Sequence, residues 1–438
     1  MASRHPKDAP LIIVGAGVFG LGLAYELAAV RGYINVTVLD RFAPPVPDGS
    51  SVDVSRVIRA EYADPVYAQL SADALKEWRG EGTPWSKHYN ETGFIMLGTE
   101  SNGYVRKCRA MREQLELGIQ EGKEIFEPHE TDSKLKELYP DLQADLRGLL
   151  SLRNTMGGWA DAASAIQGLA ERASQAGVSF ITGRRGTVTS LEYSGKRVTG
   201  VNTASGNTFK ADTVILATGS WTNRLVPDMG HNLAAVGQPI GFVQLTPEEA
   251  KHLERMPVMQ IFDTGMFTFP PTPDTHRLKI ARHGYGYATE FEAAGGRAVS
   301  SPKLIGNNAI TGFLPGDAEQ ALRDGLRVFF PEFGDRPWCS LRMCWYQDTP
   351  DGDFMVDHHP ELDGLFFATG GSGHAFKFLP VLGRNVADCF EGNASKELRE
   401  KWKIHHPSTR NPDVAMGQDG SRGGPPLRRL SVQEQSKL

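Results

Sequence analysis

The stretch APLIIVGAGVFGLGLAYELAAVRGYINVTVLD, residues 9–40, constrains this chain more than any other. An apolar run leads into a glycine turn. A helix-compatible run follows and stops at Gly32, and a second apolar run ends at Asp40. This is the order of a βαβ unit that cradles a dinucleotide. Gly15 permits the tight turn, Gly17 lets the backbone approach a pyrophosphate, and Gly20 lets the helix sit close on the strand. The helix start offers free N–H groups and a positive dipole end to phosphate. Asp40 is placed to accept hydrogen bonds from a ribose, and an acid there disfavours a 2′-phosphate. It does not separate NAD from FAD.

The rest of the chain shows how this unit is completed. TFKADTVILATGSWTNRL (208–225) is a strand running into a glycine turn and a helix start, and residues 364–392 repeat that order. Between them, residues 227–335 carry short alternating segments that predict a mainly antiparallel sheet. Residues 64–79 predict an amphipathic helix with Pro65 at its start, and residues 100–147 a polar, mostly helical stretch. The chain is long for one core at 438 residues. The fold class expected is α/β with α+β, a Rossmann-type domain holding an inserted substrate domain. The cofactor domain is expected over 1–84, 150–226 and 340–400. The substrate domain is expected over 85–149 and 227–339. Residues 401–438, rich in Gly, Pro, Ser and charge, predict a flexible tail.

Composition removes other classes. A net charge of −5 without a concentrated basic stretch argues against nucleic acid as a partner. No apolar run reaches the length of a membrane span, and MASRHPKDAP lacks the apolar centre of a signal peptide. Four cysteines without a CxxC pair fit neither a disulfide scaffold nor a structural zinc site, and no metal is expected. The ending Ser436-Lys437-Leu438 reads as a receptor-read peroxisomal address, so a peroxisomal protein and an import receptor as partner are expected. RRLS at 428–431 matches a basophilic kinase site, a string that also arises by chance.

Six stretches together resemble the sarcosine oxidase-like family of FAD amine oxidases, which includes sarcosine, pipecolate, saccharopine and fructosyl amino-acid oxidases. They are GAGVFG, SRVIRAEY, ADTVILATGSW, LKIARHGYG, CWYQDTPDGDFMVDHHP and GGSGHAFKFLPVLG, and the resemblance runs from about Leu11 to Gly392. Read by itself, Cys344 is a small buried apolar side chain. The resemblance implies that it is joined covalently to the flavin 8-methyl carbon, with Cys339 the competing thiol. Strand alternation points Lys279, Ala281 and His283 together and Arg282 away. The resemblance implies that Lys279 activates oxygen near the flavin and that His283 lines the substrate pocket. Fructosyl amino-acid oxidases carry glutamate at that place, so His283 disfavours a fructosyl substrate. By itself it is equally a hydrogen-bonded structural histidine, and Tyr346 equally a core aromatic or a pocket residue.

The resemblance further implies that Arg59 and Lys377 bind the substrate carboxylate, with Arg56 beside the flavin. Arg41, Ser55, Gly219, Trp221, Gly371, Gly373 and Lys377 are then cofactor contacts. Backbone N–H groups of the 370–373 turn would stabilise negative charge on reduced flavin. The activity implied is oxidation of a secondary amine bearing an L-carboxylate to an imine that water hydrolyses, with O2 reduced to H2O2. A saccharopine- or pipecolate-type substrate is preferred, with Arg277, Arg282 and Lys377 available for extra carboxylates. Sarcosine or fructosyl amino acids, a biosynthetic ring closure, and a dehydrogenase using a protein acceptor are the alternatives. A monomeric chain is expected.

Overall fold

The computed structural model describes residues 5–117, 125–293, 296–405 and 419–438. The strands and helix that position the site are β1 (Leu11–Val14), α1 (Val18–Tyr25), β2 (Val36–Leu39), β3 (Thr213–Leu216), β4 (Ala234–Gln244), β5 (Arg277–Arg282), β6 (Trp338–Asp348) and β7 (Leu365–Thr369).

The first sheet has six strands in the order Met355–His358, β7, β3, β1, β2, Ser179–Ile181. All neighbours are parallel except the Met355–His358 edge, which runs antiparallel to β7. β1 is apolar at every position because both its faces are covered. Leu11 and Ile13 pack with α1 and the helices Ala162–Gln175 and Leu379–Glu391. Ile12 and Val14 pack under the antiparallel meander formed by residues 188–210. Two glycines of this unit are required by close backbone packing. A Cβ on Gly20 would collide with the Gly15 carbonyl, and one on Gly15 with the Ala217 carbonyl. Gly22 and Gly383 likewise bring α1 against Leu379–Glu391.

The second sheet has ten strands, mainly antiparallel, and is built around β4. β4 pairs with β5 on one side and with β6 along nearly its whole length, placing Lys279 opposite Phe242 and Cys344 opposite Gln238. The helix Gly316–Phe329 covers one face through Leu322, Leu326 and Phe329, which pack with Leu278 and Ile280. The other face carries Ile240, Phe267, Phe269, Ala281 and Cys344 and turns toward the first sheet. A strand two residues out of phase would reach the same face; one residue out of phase would bury Lys279 under the helix.

Three features depart from the sequence reading. The expected 339/340 boundary falls inside β6, which belongs to the second sheet throughout, and Leu150–Asn154 is a strand of that sheet too. Within 100–147, helices cover Tyr104–Gln114 and Thr131–Leu138, and 118–124 lie outside the described residues. The expected flexible tail is corrected where it is described. Lys396–Trp402 is a helix that reaches into that stretch, and 406–418 lie outside the described residues. Residues 419–438 are packed: Arg428–Arg429 pairs with Tyr287–Ala288 at the sheet edge, Ser431 caps a final helical turn, and Leu430 and Leu438 join the core beneath Gly316–Phe329. Lys303 Nζ contacts the Leu438 carbonyl oxygen. Apolar side chains at 430 and 438 outweigh the local Gly and Pro content once a sheet edge is available to receive them. Among the described residues no helix is long and apolar enough to cross a membrane.

Candidate active site

A two-lobed cleft runs between the sheets. One lobe, about 740 Å³ with the space open to solvent included, runs along the glycine turn and the ends of β2 and β3. The other, about 1050 Å³ with the space open to solvent included, lies between α1, His283 at the end of β5, β6 and the 370–377 turn. The lobes meet at Gly17, Ser50, Ser51, Ala217 and Gly219. The smaller lobe has the chemistry of a nucleotide half-site. Gly17 opens α1 toward it, and the Val18 N–H there donates to Ser51 Oγ at 3.0 Å. Asp40 accepts from the backbone N–H groups of Ala16 (2.7 Å) and Arg41 (2.6 Å) at its edge. Arg41 is paired with Asp48 at 2.7 Å and lies over the Trp221 ring at 4.2 Å, forming a flat wall. Ser50 and Ser51 were not singled out by the sequence; two serines in a loop carry no signal until the fold sets them against α1.

Around the larger lobe the charges fall into two groups. In the first, the Asp53 carboxylate binds Lys279 Nζ at 2.6 Å, Arg56 at 2.6 Å and Arg342 at 2.8 Å. Burial pushes its carboxyl up, but the charges of Arg342, Lys279 and Arg56 outweigh this and hold it well below the usual range. Lys279 also donates to the Ser55 carbonyl at 2.8 Å and lies over Phe269. It is 1% exposed, and burial lowers its pKa to about 7 against the pull of Asp53. Arg56 reaches on from Asp53 to the Cys344 sulfur at 3.5 Å. Cys344 is buried, whereas Cys339 is exposed on the same strand. Ser55, expected among the cofactor contacts, instead holds Lys279 and does not line the cleft.

The second group lies across the lobe. Arg59 is 7% exposed and its Nη1 has no hydrogen-bond partner among the described residues. Its guanidinium sits over the Tyr62 ring at 4.6 Å. Lys377 Nζ donates to Tyr62 Oη at 2.9 Å and to the His374 carbonyl at 2.8 Å. Burial, then repulsion from Arg59, lowers the Lys377 pKa well below that of a free lysine. Facing them, His283 Nδ1 lies 3.4 Å from Tyr346 Oη. Burial and the nearby charges of Arg422 and Arg59 hold His283 well below its ordinary pKa, so the ring is neutral. Gly373 is glycine because a Cβ would strike the Tyr346 ring, and Gly371 leaves room beside Phe19. Gln347 also lines the lobe, with neither amide atom partnered among the described residues. Arg277 is exposed and Arg282 turns to the Thr264 carbonyl, so neither reaches the cleft.

The residues present fit FAD. A glycine cradle at a helix start serves a pyrophosphate, a walled lobe serves a nucleoside, and unpartnered amide and guanidinium atoms face the larger lobe. The sequence pattern of FAD dependent oxidoreductases matches residues 10–389. The chain belongs to the FAD dependent oxidoreductases.

The oxidase is 33% identical over 411 residues to the L-saccharopine oxidase of Schizosaccharomyces pombe, covering 90% of this chain and 92% of that one. It is 24% identical to the human peroxisomal sarcosine oxidase, covering 85% and 90%. Among solved structures it is similar to the fructosamine oxidase amadoriase II of Aspergillus fumigatus, at a TM-score of 0.83 and 28% identity over 97% of this chain and 96% of that one. These findings establish FAD as the cofactor and amine oxidation as the activity.

Proposed function

We propose that the oxidase acts on a secondary amine bearing an L-carboxylate, of the saccharopine or pipecolate type. The observation that carries this is the buried Arg59 Nη1, which has no partner among the described residues, beside Lys377. Two desolvated cations 

at one wall of a pocket repel each other, and an anion between them removes that cost. The carboxylate would take Arg59 and Lys377, with Tyr62 holding both from below. The amine would then face the neutral His283, which can accept its N–H, and Tyr346 would fix the imidazole. A neutral base at that wall favours the unprotonated amine that oxidation requires. FAD, when bound, supplies the two-electron acceptor that O2 restores with release of H2O2. Similarity to a saccharopine oxidase and the histidine at 283 favour this substrate class over fructosyl amino acids.

Two finer assignments go with this reading. Cys344 carries the flavin as a thioether, supported by its burial and by the Arg56 guanidinium 3.5 Å from its sulfur. Lys279 assists O2 reduction, as an ammonium held by Asp53 next to Arg56. The Ser-Lys-Leu sequence directs the oxidase to peroxisomes, where relatives include peroxisomal sarcosine oxidases. With Leu438 at 6% exposure, a receptor reads it after the last helical turn has been released. Loss of residues 436–438 should leave a fluorescently labelled oxidase in the cytosol.

The test is anaerobic mixing with saccharopine, pipecolate, sarcosine and fructosyl-valine, followed by flavin absorbance. Rapid bleaching by saccharopine or pipecolate is expected. Bleaching by fructosyl-valine alone would overturn the substrate assignment.

A further inference from the structure

The segment from Asp419 to Gly424 does more than pack against the sheet. Gly423 bridges to Gly284, and the Gly424 N–H donates to the Asp263 carbonyl at 2.9 Å. Immediately before these anchors, Arg422 is driven inward and is 3% exposed. Its guanidinium holds Asp348 in a forked pair, at 3.0 and 2.8 Å. The same group donates to the Gly284 carbonyl at 2.7 Å and to the Ser372 carbonyl at 2.9 Å. It lies 5.3 Å from the Tyr346 ring centroid.

Each partner belongs to a different piece of the amine site. Gly284 follows His283. Asp348 closes the strand that carries Cys344 and Tyr346. Ser372 sits between Gly371 and Gly373 in a left-handed conformation with φ of 47°, which a side-chain-bearing residue holds only under constraint. His283 and Tyr346 themselves are separated by 3.4 Å, and that spacing depends on how β5 and β6 end. Asp419 and Arg422 also line the cavity that leads to Arg59 and His283 from outside.

We infer that Arg422 is a positioning residue for amine oxidation: a strut that ties the ends of β5, β6 and the 370–373 turn into one rigid pocket. Lysine cannot replace it, since one ammonium cannot span a forked carboxylate and two carbonyls on different segments. Displacing His283 or Tyr346 by a fraction of an ångström to an ångström slows a reaction that depends on close alignment.

The inference rests on the proposed substrate class only for the choice of amine. Arg422→Ala and Arg422→Lys, each loaded with FAD, are compared with the parent oxidase in anaerobic stopped flow. Both should reduce flavin at least about tenfold more slowly at saturating amine, with reoxidation by O2 unchanged. Low-millimolar guanidinium should restore at least half the lost rate to Arg422→Ala. Parent-like reduction by Arg422→Ala, or guanidinium that raises the melting midpoint without the rate, would overturn the inference. If Arg422→Ala does not fold, Asp348→Asn keeps the side-chain shape and breaks the forked charge pair, and must show the same selective slowing. If no amine reduces the parent oxidase, the substrate reading has failed. Visible circular dichroism of bound FAD then decides: Arg422→Ala must change the flavin bands and guanidinium must reverse the change, and unaltered bands would refute the strut.

Discussion

Asp53→Asn is the substitution whose outcome can be worked out furthest. The change keeps the shape of the side chain and removes the one negative charge shared by Lys279, Arg56 and Arg342. With a pKa lowered to about 7, Lys279 at pH 7.5 is an ammonium about a quarter of the time. An adjacent opposite charge favours the charged form by roughly 1–3 pKa units. Without Asp53 the charged fraction at pH 7.5 therefore falls to about 0.03 or less. If the ammonium assists O2, reoxidation of reduced flavin slows by at least about 8-fold. The parent oxidase should show the same dependence through pH. The active form is protonated, so reoxidation is fastest on the acid side and falls as pH rises through about 7. Lys279→Met should be slow and flat across that window. The assay is stopped-flow reoxidation of the reduced enzyme from pH 5.5 to 8.5, with anaerobic reduction as the control step. The unpaired arginines should also cost about 3–5 kcal/mol of stability, so the folded, FAD-loaded fraction must be measured first. A parent rate that climbs through pH 7, or Asp53→Asn reoxidising at the parent rate, would refute the role given to Lys279.

Arg59→Met should raise KM for the amine roughly 10–100-fold, from about 1.5–3 kcal/mol of charge-assisted binding, with a smaller change in kcat. Steady-state kinetics would count against carboxylate binding if kcat alone fell. Cys344→Ala should release the yellow colour on acid precipitation while Cys339→Ala retains it; colour retained by Cys344→Ala would move the attachment elsewhere. Gly20→Ala should purify with little FAD because its Cβ would overlap the Gly15 carbonyl, and Gly17→Ala should lose FAD too, because its Cβ would press on Ser51 Oγ at 2.8 Å and stand where the pyrophosphate approaches the backbone. The ratio of flavin to protein absorbance reads both.

The dinucleotide unit was legible because its signals are local: the glycines, the helix and both strands lie within 9–40. The inward placing of Lys279 on its strand was legible because strand alternation needs no partner, whereas His283 lies beyond the end of that strand. Asp53 was not. In the sequence it is one acid in a polar loop, and its three cations come from β5, β6 and three residues downstream. Gln347 and Arg422 escaped for the same reason, since burial of a polar side chain is a property of the assembled fold. The tail misled because Gly and Pro content describes a segment in isolation, while Leu430 and Leu438 act only once the sheet edge and the helix Gly316–Phe329 are in place.

The order in which the chain is made bears on Arg422. Nascent chains tend to fold from their N-terminal part onward. Here β1, α1 and β2 can form a nucleotide cradle early, but their sheet waits for β3 and β7. The segment that fastens the ends of β5, β6 and the 370–373 turn is translated after all of them. A ribosome-bound chain can therefore own a flavin cradle long before it owns an aligned amine pocket. On the role inferred for Arg422, a chain that ends before residue 422 lacks the strut that aligns its amine pocket.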